Sequence, residues 1–173
     1  MEAKIYVGTY GKYNAGSLFG KWLDLTDYSD KEEFYEACKE LHQKEYDPEY
    51  MFQDYDGVLH KLPKCWLSES HISDEIFEFI EAFGDDEEKG EAFLNWVSST
   101  GYKGDFSYLI TTFEEAYEGK YDSPKAYAEY LTDETGMLDK MGDLSYYFNY
   151  DAYTRDLFMS DYMYLDGVVY RNL

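Results

Sequence analysis

The stretch SDEIFEFIEAFGDDEEKGEAF, residues 73–93, combines a helical pattern of apolar residues with an unusual density of acid. Nine of its 21 residues are Asp or Glu, and Lys89 is its one cation. The apolar face is assigned, by helical spacing, to Ile76, Phe77, Ile80 and Phe83. Because the acids fall away from that face, the pattern predicts an acidic amphipathic helix with Ser73 as its N-cap and Gly84 at its end.

A second acidic helix is expected directly after the first, over residues 85–99. Its apolar face is assigned to Phe93, Trp96 and Val97. Glycines at positions 101 and 104 mark the far boundary of this region. The two helices together predict a mainly helical middle subdomain, residues 63–104.

The region before these helices reads as a small α+β subdomain, residues 1–62. Strands are expected over residues 4–9 and 17–25, joined by the glycine-bounded loop GKYNAG. Ser29 is expected to cap a helix that runs to about residue 44, and residues 50–56 predict a third strand. The apolar face of that helix is assigned to Phe34, Cys38 and Leu41.

The last third, residues 105–173, reads as another α+β subdomain. Ser123-Pro124 combines a cap with proline at the first helical position, and Gly136 is expected to end that helix. A further helix is expected over residues 151–159. Asp166-Gly167 then separates two short strands as a two-residue hairpin turn would. The predicted fold class is therefore α+β, an elongated chain of three small subdomains with antiparallel strands and a helical middle.

The overall charge limits the partners that this chain can bind. Its 173 residues include 37 Asp or Glu and only 15 Lys or Arg, a net charge of −22. Nucleic acids and anionic membranes would both repel it, so its natural partner is basic. The opening residues show no signal peptide, and no run of about 18 apolar residues predicts a membrane span. We therefore expect a cytoplasmic protein.

The acid is not evenly distributed along the chain. Residues 24–56 and 69–91 each carry a net charge of −9, and residues 105–134 carry −6. Residues 139–173 carry only −3 and are rich in tyrosine. This comparatively neutral, aromatic segment is where we expect self-association.

Several familiar sites fail on inspection of the residues. Residues 8–13, GTYGKY, lack the first glycine and the Ser or Thr that a phosphate-binding P-loop needs. Residues 85–90 could begin a calcium loop, but Lys89 occupies a ligand position and Trp96 stands where a bidentate Glu is required. No serine lies in a nucleophile motif, and the carboxylates are too numerous to single out a catalytic pair. We expect no catalytic residues and no cofactor.

A zinc site was the strongest metal hypothesis. Cys38 and His42 are four residues apart on a predicted helix, and Cys65 with His60 or His71 could complete a set of ligands. No closely spaced pair of cysteines supports it. The preferred interpretation makes Cys38 a core residue and His42 a surface residue, with no metal.

The surplus of acid has four candidate explanations. It could merely solvate exposed faces, although a net charge of about 2–8 suffices for that in a small domain. It could bind basic proteins in general, as an acidic chaperone does, or support metal-assisted hydrolysis. It could also imitate DNA, since two copies would carry the phosphate charge of about 22 base pairs.

Four ordered stretches resemble ArdA-type antirestriction proteins. They are IYVGTYGKYNAGSLFGKWLDL (5–25), YMFQDYDG (50–57), FEEAYEGKYDSPKAYAEYL (113–131) and YFNYDAYTRDLFMSDY (147–162). The middle, about 65–104, matches only as an acidic helical region. Gln53 and Tyr121 depart from the residues that are common in the family, but neither replaces an acid. Within the matching stretches, Trp22 is interpreted as structural.

The resemblance implies a function as well as a shape. Members of that family are cytoplasmic bacterial proteins, typically encoded on mobile elements, that inhibit type I restriction–modification enzymes. They are elongated dimers that imitate bent B-form DNA, and they dimerise through the C-terminal domain. They occupy the DNA-binding groove of the methyltransferase core, formed by specificity and modification subunits, and have neither catalytic residues nor a cofactor.

The predicted DNA-mimic surface is made of carboxylates from three stretches. They are Asp27, Asp30, Glu32, Glu33, Glu36, Glu40, Asp74, Glu75, Glu78, Glu81, Asp85, Asp86, Glu87, Glu88, Glu91, Glu114, Glu115, Glu118 and Asp122.

Overall fold

In the computed structural model, which describes residues 1–101 and 104–173, α-helices combine with small antiparallel sheets. The predicted α+β class is confirmed. Contacts divide the chain into two compact units, Met1–Phe106 and Ser107–Leu173. Tyr102 and Lys103, which belong to the predicted middle subdomain, lie outside the described residues. The division into three subdomains stays a prediction.

The first unit begins with a three-stranded antiparallel sheet in the order β2-β1-β3. A two-stranded ribbon, β4 with β5, and the helices α1 to α4 complete it. The bounds are β1 Ala3–Thr9, α1 Tyr10–Asn14, β2 Lys21–Asp24, α2 Lys31–Leu41, β3 Tyr50–Gly57, β4 Leu67–Ser68, β5 His71–Ile72, α3 Glu75–Phe83 and α4 Glu87–Thr100. Short 3-10 turns lie at Leu25–Asp27 and Val58–Lys61.

Alternation along β1 decides which face of the sheet is covered. Ile5 and Val7 are fully buried, whereas Tyr6 points the other way and stacks edge-on against Trp22 of β2, with ring centroids 5.5 Å apart. Helix α2 covers the buried face, since the ring of Phe34 lies 5.9 Å from that of Phe52 on β3. The strands at 4–9 and 50–56 are confirmed.

The connection after β1 differs from the prediction. The stretch expected as a loop contains the one-turn helix α1, which forms because the Thr9 hydroxyl accepts a hydrogen bond from the Lys12 N–H. The strand expected over residues 17–25 is shorter, because only Lys21–Asp24 pairs with β1 before the chain turns into a 3-10 segment.

The start of α2 corrects the predicted cap by one residue. Asp30, not Ser29, is the N-cap, and its carboxylate accepts from the Glu33 N–H at 2.8 Å. The Glu33 carboxylate in turn accepts from the backbone N–H of Ser29 at 2.7 Å. This reciprocal pair resembles a capping box. The helix ends at Leu41 rather than near residue 44.

The two acidic helices form where they were expected, with different caps. Among the described residues, the buried hydroxyl of Ser73 makes no cap bond and has no hydrogen-bond partner, so the predicted cap is wrong. Gly84 does end α3. The second helix begins at Glu87 rather than residue 85, because the Asp86 carboxylate caps it by accepting from the Lys89 N–H at 3.0 Å.

The predicted apolar residues of these helices are buried except Ile80 and Val97, which are half-buried. Phe79 is fully buried and packs on Trp66, Phe83 and Phe93, while the predicted Ile80 is only half-buried. On the second helix Val97 is half-buried. Ala92 and Leu94, on either side of Phe93, are buried although they were not predicted to be. The rings that surround Phe79 make it part of the buried face of α3. The spacing of apolar residues in the sequence did not show whether Phe79 or Ile80 would be buried.

The second unit contains a three-stranded antiparallel sheet in the order β6-β8-β7. The hairpin is confirmed, because Asp166 and Gly167 both adopt positive φ, 50° and 84°, between β7 and β8. Ser123 caps α6 as predicted, and its hydroxyl accepts from the Ala126 N–H at 3.1 Å. The bounds are α5 Phe106–Ala116, β6 Tyr117–Lys120, α6 Pro124–Glu134, α7 Met137–Met141, α8 Tyr150–Ser160, β7 Tyr162–Leu165 and β8 Val168–Arg171, with a 3-10 segment at Gly142–Tyr147.

Candidate functional site

The predicted acidic surface is almost entirely accessible to solvent. Of the carboxylates assigned to it, all are exposed except Glu75, Glu91 and Glu118, which are half-buried. Accessibility alone does not distinguish a binding surface from a solvated one, so the partners of each carboxylate matter. They divide the set into carboxylates with a structural partner and carboxylates without one.

Helix α2 carries the clearest run of carboxylates without partners. Glu32, Glu36 and Glu40 are each four residues apart, so they form one stripe that rises about 6 Å per step. The stripe lies on the side of the helix opposite the buried Phe34 and Cys38. Among the described residues, none of these three side chains has an ion-pair or hydrogen-bond partner. Like charges at this spacing cost about 0.2–0.5 kcal/mol per pair.

A salt bridge joins the start of α2 to the start of α3. Lys31 Nζ lies 2.5 Å from Asp74 Oδ2, and this hydrogen bond raises the pKa of Lys31. The ring of Phe34 lies 6.3 Å from that of Phe77 beneath it. Two acidic stretches that are 43 residues apart are thereby brought side by side. Sequence reasoning gave no signal for this pairing.

Beyond that bridge the acid continues along α3. Glu78, Glu81 and Asp85 are exposed and, in residues 1–101 and 104–173, have no ion-pair or side-chain hydrogen-bond partner. Asp27, in the 3-10 turn before α2, is likewise exposed and without such a partner among the described residues.

Other members of the predicted set have local structural roles. Asp30 and Asp86 are helix caps, and Glu33 binds the chain before α2. Glu91 forms an ion pair with Lys61 at 2.6 Å, and Glu87 lies 3.8 Å from the N-terminal amine. Acids in the first turn of a helix also interact favourably with its dipole, by about 0.3–1 kcal/mol each. Part of the acidity therefore stabilises the helices themselves.

The second unit contributes fewer carboxylates without partners. Glu118 is half-buried and forms an ion pair with Arg171 at 2.6 Å, which raises the pKa of that guanidinium. Glu114, Glu115 and Asp122 are exposed. Within the described part of the chain, Glu115 and Asp122 have no side-chain partner.

The predicted set leaves out several exposed acids, and two of these share one strand. Asp54 and Asp56 lie on β3, the edge strand that pairs only with β1, and both are exposed. Their spacing of two residues is the signal that could have found them, because alternate residues of a strand share one face. The prediction considered acids mainly on helices.

A buried polar cluster lies between the sheet and the end of α2, and it corrects the interpretation of His42. This side chain is buried, with Nδ1 2.7 Å from Glu45 Oε1 and Nε2 3.5 Å from the Val7 carbonyl. Glu45 also accepts from the Thr9 hydroxyl at 2.7 Å and pairs with Lys12 at 3.0 Å. Burial raises the pKa of Glu45, but these hydrogen bonds outweigh it and the net direction is downward.

The two cysteines differ in their exposure to solvent. Cys38 is a core residue, as expected, and burial raises the pKa of its thiol to about 12. Cys65 is exposed. Within the described residues, no group of three or more His, Cys, Asp or Glu side chains is arranged to hold a metal ion. None of the helices in residues 1–101 and 104–173 has the length and hydropathy of a membrane span.

Comparison with protein families gives one match over nearly the whole chain. Residues 5–170 match the family described as ArdA, antirestriction protein. No curated protein matches the chain.

Proposed function

The chain belongs to the ArdA antirestriction protein family, and from that premise we propose that it inhibits restriction by imitating DNA. Its role in antirestriction follows from the family. The mechanism that we propose is occupation of the DNA-binding groove in the methyltransferase core of a type I restriction–modification enzyme. This core consists of specificity and modification subunits, and its occupation would block restriction and also modification.

The observation that carries this proposal is the stripe of Glu32, Glu36 and Glu40 on α2. These carboxylates repel one another and have no ion-pair or hydrogen-bond partner among the described residues, and only Glu32, in the first turn of α2, gains from the helix dipole. Their rise of about 6 Å per step is close to two phosphate steps along one DNA strand. A basic groove built for a phosphate backbone offers the compensation that the free protein lacks.

The charge balance extends the same reasoning to the whole chain. With 37 acids and 15 Lys or Arg, at least 22 carboxylates have no Lys or Arg available for a one-to-one pair. Their combined field attracts a basic surface over a distance of about 8–10 Å at physiological salt and accelerates association. We propose that the protein acts as a homodimer in the cytoplasm and without catalysis.

A competition titration tests the proposal. A type I methyltransferase core is bound to a fluorescent duplex that carries its target, and the protein is added at near-physiological salt without divalent metal. We expect stoichiometric displacement of the duplex. An unrelated acidic protein of the same net charge is the control, and equal displacement by that control would indicate a general binder of basic proteins instead.

A pair of triple variants tests whether the position of these carboxylates matters, or only the net charge of the protein. Glu32→Gln, Glu36→Gln and Glu40→Gln together should weaken displacement about tenfold or more, because three phosphate-like contacts are lost. The matched control is Glu129→Gln, Asp133→Asn and Glu134→Gln on α6, which removes the same charge from another helix outside the predicted surface.

Single neutralisations within the stripe should each cost no more than about fourfold, since the field is distributed. The proposed mechanism fails if one carboxylate alone abolishes displacement, or if the two triple variants are equally impaired.

A further inference from the structure

The segment from Ala3 to Leu23 differs in charge from the rest of the chain. It contains three lysines and no Asp or Glu over 21 residues, the longest stretch without a carboxylate in this acidic sequence. An imitation of DNA has no use for a segment of this composition. The segment contains all of β1, most of β2 and the connection between them, and its exposed residues need a different explanation.

Exposed apolar side chains concentrate in the same segment. Among the described residues of the first unit, five large apolar side chains are exposed, and four of them lie within residues 13–22, which we call the aromatic loop. Their exposed fractions are 50% for Tyr13, 72% for Leu18, 49% for Phe19 and 41% for Trp22. Clusters of this kind mark surfaces that bind other proteins. Tyr and Trp are also the residues that most often dominate binding energy.

The backbone of the aromatic loop is held in place rather than left free. The Tyr6 hydroxyl donates to the Leu18 carbonyl at 3.0 Å, and the Ser17 N–H donates to the Lys12 carbonyl at 2.9 Å. Gly20 packs so closely on β1 that an added Cβ would lie 2.5 Å from the Val7 carbonyl oxygen. A surface fixed before binding loses little conformational freedom when a partner arrives.

Positive charge borders the aromatic loop. Lys12 Nζ lies 3.5 Å from the centroid of the Phe19 ring, a cation–π contact, while it also pairs with Glu45. Lys21 is exposed and, among the described residues, has no ion-pair partner. A complementary surface would therefore be apolar in its centre and acidic at its border.

We propose that the aromatic loop docks on such an apolar, acid-bordered surface of the same restriction enzyme, outside its DNA-binding groove. This inference rests on the proposed function. A second copy of the chain is not the proposed occupant because we expect self-association in residues 139–173, and nucleic acid is disfavoured by repulsion from the net charge of −22. An enzyme that binds the stripe on α2 through a basic groove also holds the aromatic loop, which belongs to the same unit, close to its own surface.

The carboxylates and the aromatic loop would then contribute to recognition in different ways. The carboxylates bring the protein to a basic groove, and that attraction weakens steeply as salt rises. The aromatic loop buries apolar area, which salt screens little, and it favours enzymes whose surface fits it. Affinity for one enzyme over another would depend on the loop rather than on the acids.

The test measures affinity for the methyltransferase core at several salt concentrations, by the same displacement of a fluorescent duplex. The variant is Tyr13→Ser with Leu18→Ser, two exposed side chains that no ring contact involves. The matched control is Tyr46→Ser, the remaining exposed aromatic of the first unit's described residues, which is 101% exposed. We expect the double variant to bind about tenfold more weakly, with an unchanged slope of log affinity against log salt, and the control to bind like the wild type.

Each other outcome overturns the inference. Wild-type affinity in the double variant would leave the proposed function standing and remove the loop from it. A loss accompanied by a shallower salt slope would assign the loop's effect to charge. If sedimentation velocity of the free protein changes while enzyme affinity does not, the loop is a contact between copies. A wild-type protein that does not displace the duplex would overturn both proposals.

Discussion

The two units carry their acid similarly but place their aromatic side chains differently. The net charge is −14 over residues 1–106 and −8 over residues 107–173, which is a similar density. The first unit buries a cluster of Phe and Trp that includes Phe79, Phe93 and Trp96. The second unit also buries Phe113, Tyr127 and Tyr170, but it leaves Leu144, Tyr146, Tyr147 and Met159 64–89% exposed, and α8 has no fully buried residue.

This difference indicates separate tasks for the two units. A core of phenylalanine has no polar side-chain atoms that need hydrogen-bond partners. Its burial stabilises the first unit and offsets the repulsion between the charges on its surface. A unit that leaves tyrosines on its surface keeps apolar area available for another chain, with hydroxyls that tolerate water until then. We therefore expect the first unit to be the better folded by itself and the second to be the site of self-association.

The largest effect should come from opening the first unit's core. Phe79→Ala should lower the free energy of unfolding by about 3–5 kcal/mol, because a fully buried ring leaves a cavity. Tryptophan fluorescence during urea denaturation reports on this unit, since Trp22, Trp66 and Trp96 all lie within it, and circular dichroism reports on both units. The comparison substitution is Tyr147→Ala, 84% exposed, which should cost less than about 0.5 kcal/mol. Equal losses would remove the contrast between the units.

The next effect concerns self-association. Tyr146→Ser with Tyr147→Ser should raise the dissociation constant of the dimer about tenfold or more, because both side chains are exposed in one chain and would be covered by a second. Sedimentation velocity over a range of concentrations measures this. Tyr46→Ser in the first unit is the control and should leave the dimer unchanged. A wild-type protein that stays monomeric at every concentration would contradict the assignment.

Substituting Ser123, which caps a helix, and Ser73, which does not, should have different effects on stability. Ser123→Ala should cost about 1 kcal/mol, since its hydroxyl caps α6 in the second unit. Ser73→Ala should cost nothing or slightly stabilise the first unit, because that buried hydroxyl has no partner to lose. Circular dichroism during denaturation gives both values. A loss of about 1 kcal/mol at position 73 would restore the cap that the sequence predicted.

The smallest effect is a dependence on pH in the first unit alone. The pKa of Glu45 lies below its ordinary value of 4.5 in the folded protein, so the carboxylate stabilises the fold above that value. This contribution is lost as the pH falls through the lowered pKa. Glu45→Gln should therefore reduce the difference in unfolding free energy between pH 7 and pH 3. Glu32→Gln, on an exposed carboxylate without a partner, is the control and should change that difference less.

Elements whose signal is local were predictable from the sequence. The strands at 4–9 and 50–56 alternate in pattern, and Ser123-Pro124 and Asp166-Gly167 fix a helix start and a turn within two residues. The acidic character of the candidate surface was equally evident, because a surplus of carboxylates cannot be buried.

Features that depend on distant residues were not predictable in the same way. Phe79 rather than Ile80 enters the core because Trp66 and Phe93 approach from other elements. His42 is buried because Glu45 and the Val7 carbonyl face its nitrogens, whereas the sequence analysis predicted a surface residue.

The sequence by itself determined the family, the α+β class and the sign and size of the charge, because those follow from composition and from patterns within a few residues. Only the tertiary structure decided which carboxylates are free to meet a partner. Asp74 pairs with Lys31 and Glu118 with Arg171 across 43 and 53 residues, whereas Glu36 pairs with nothing in the described chain. The physical reason is that an ion pair requires two side chains within about 4 Å, a distance that folding sets and the order of residues does not.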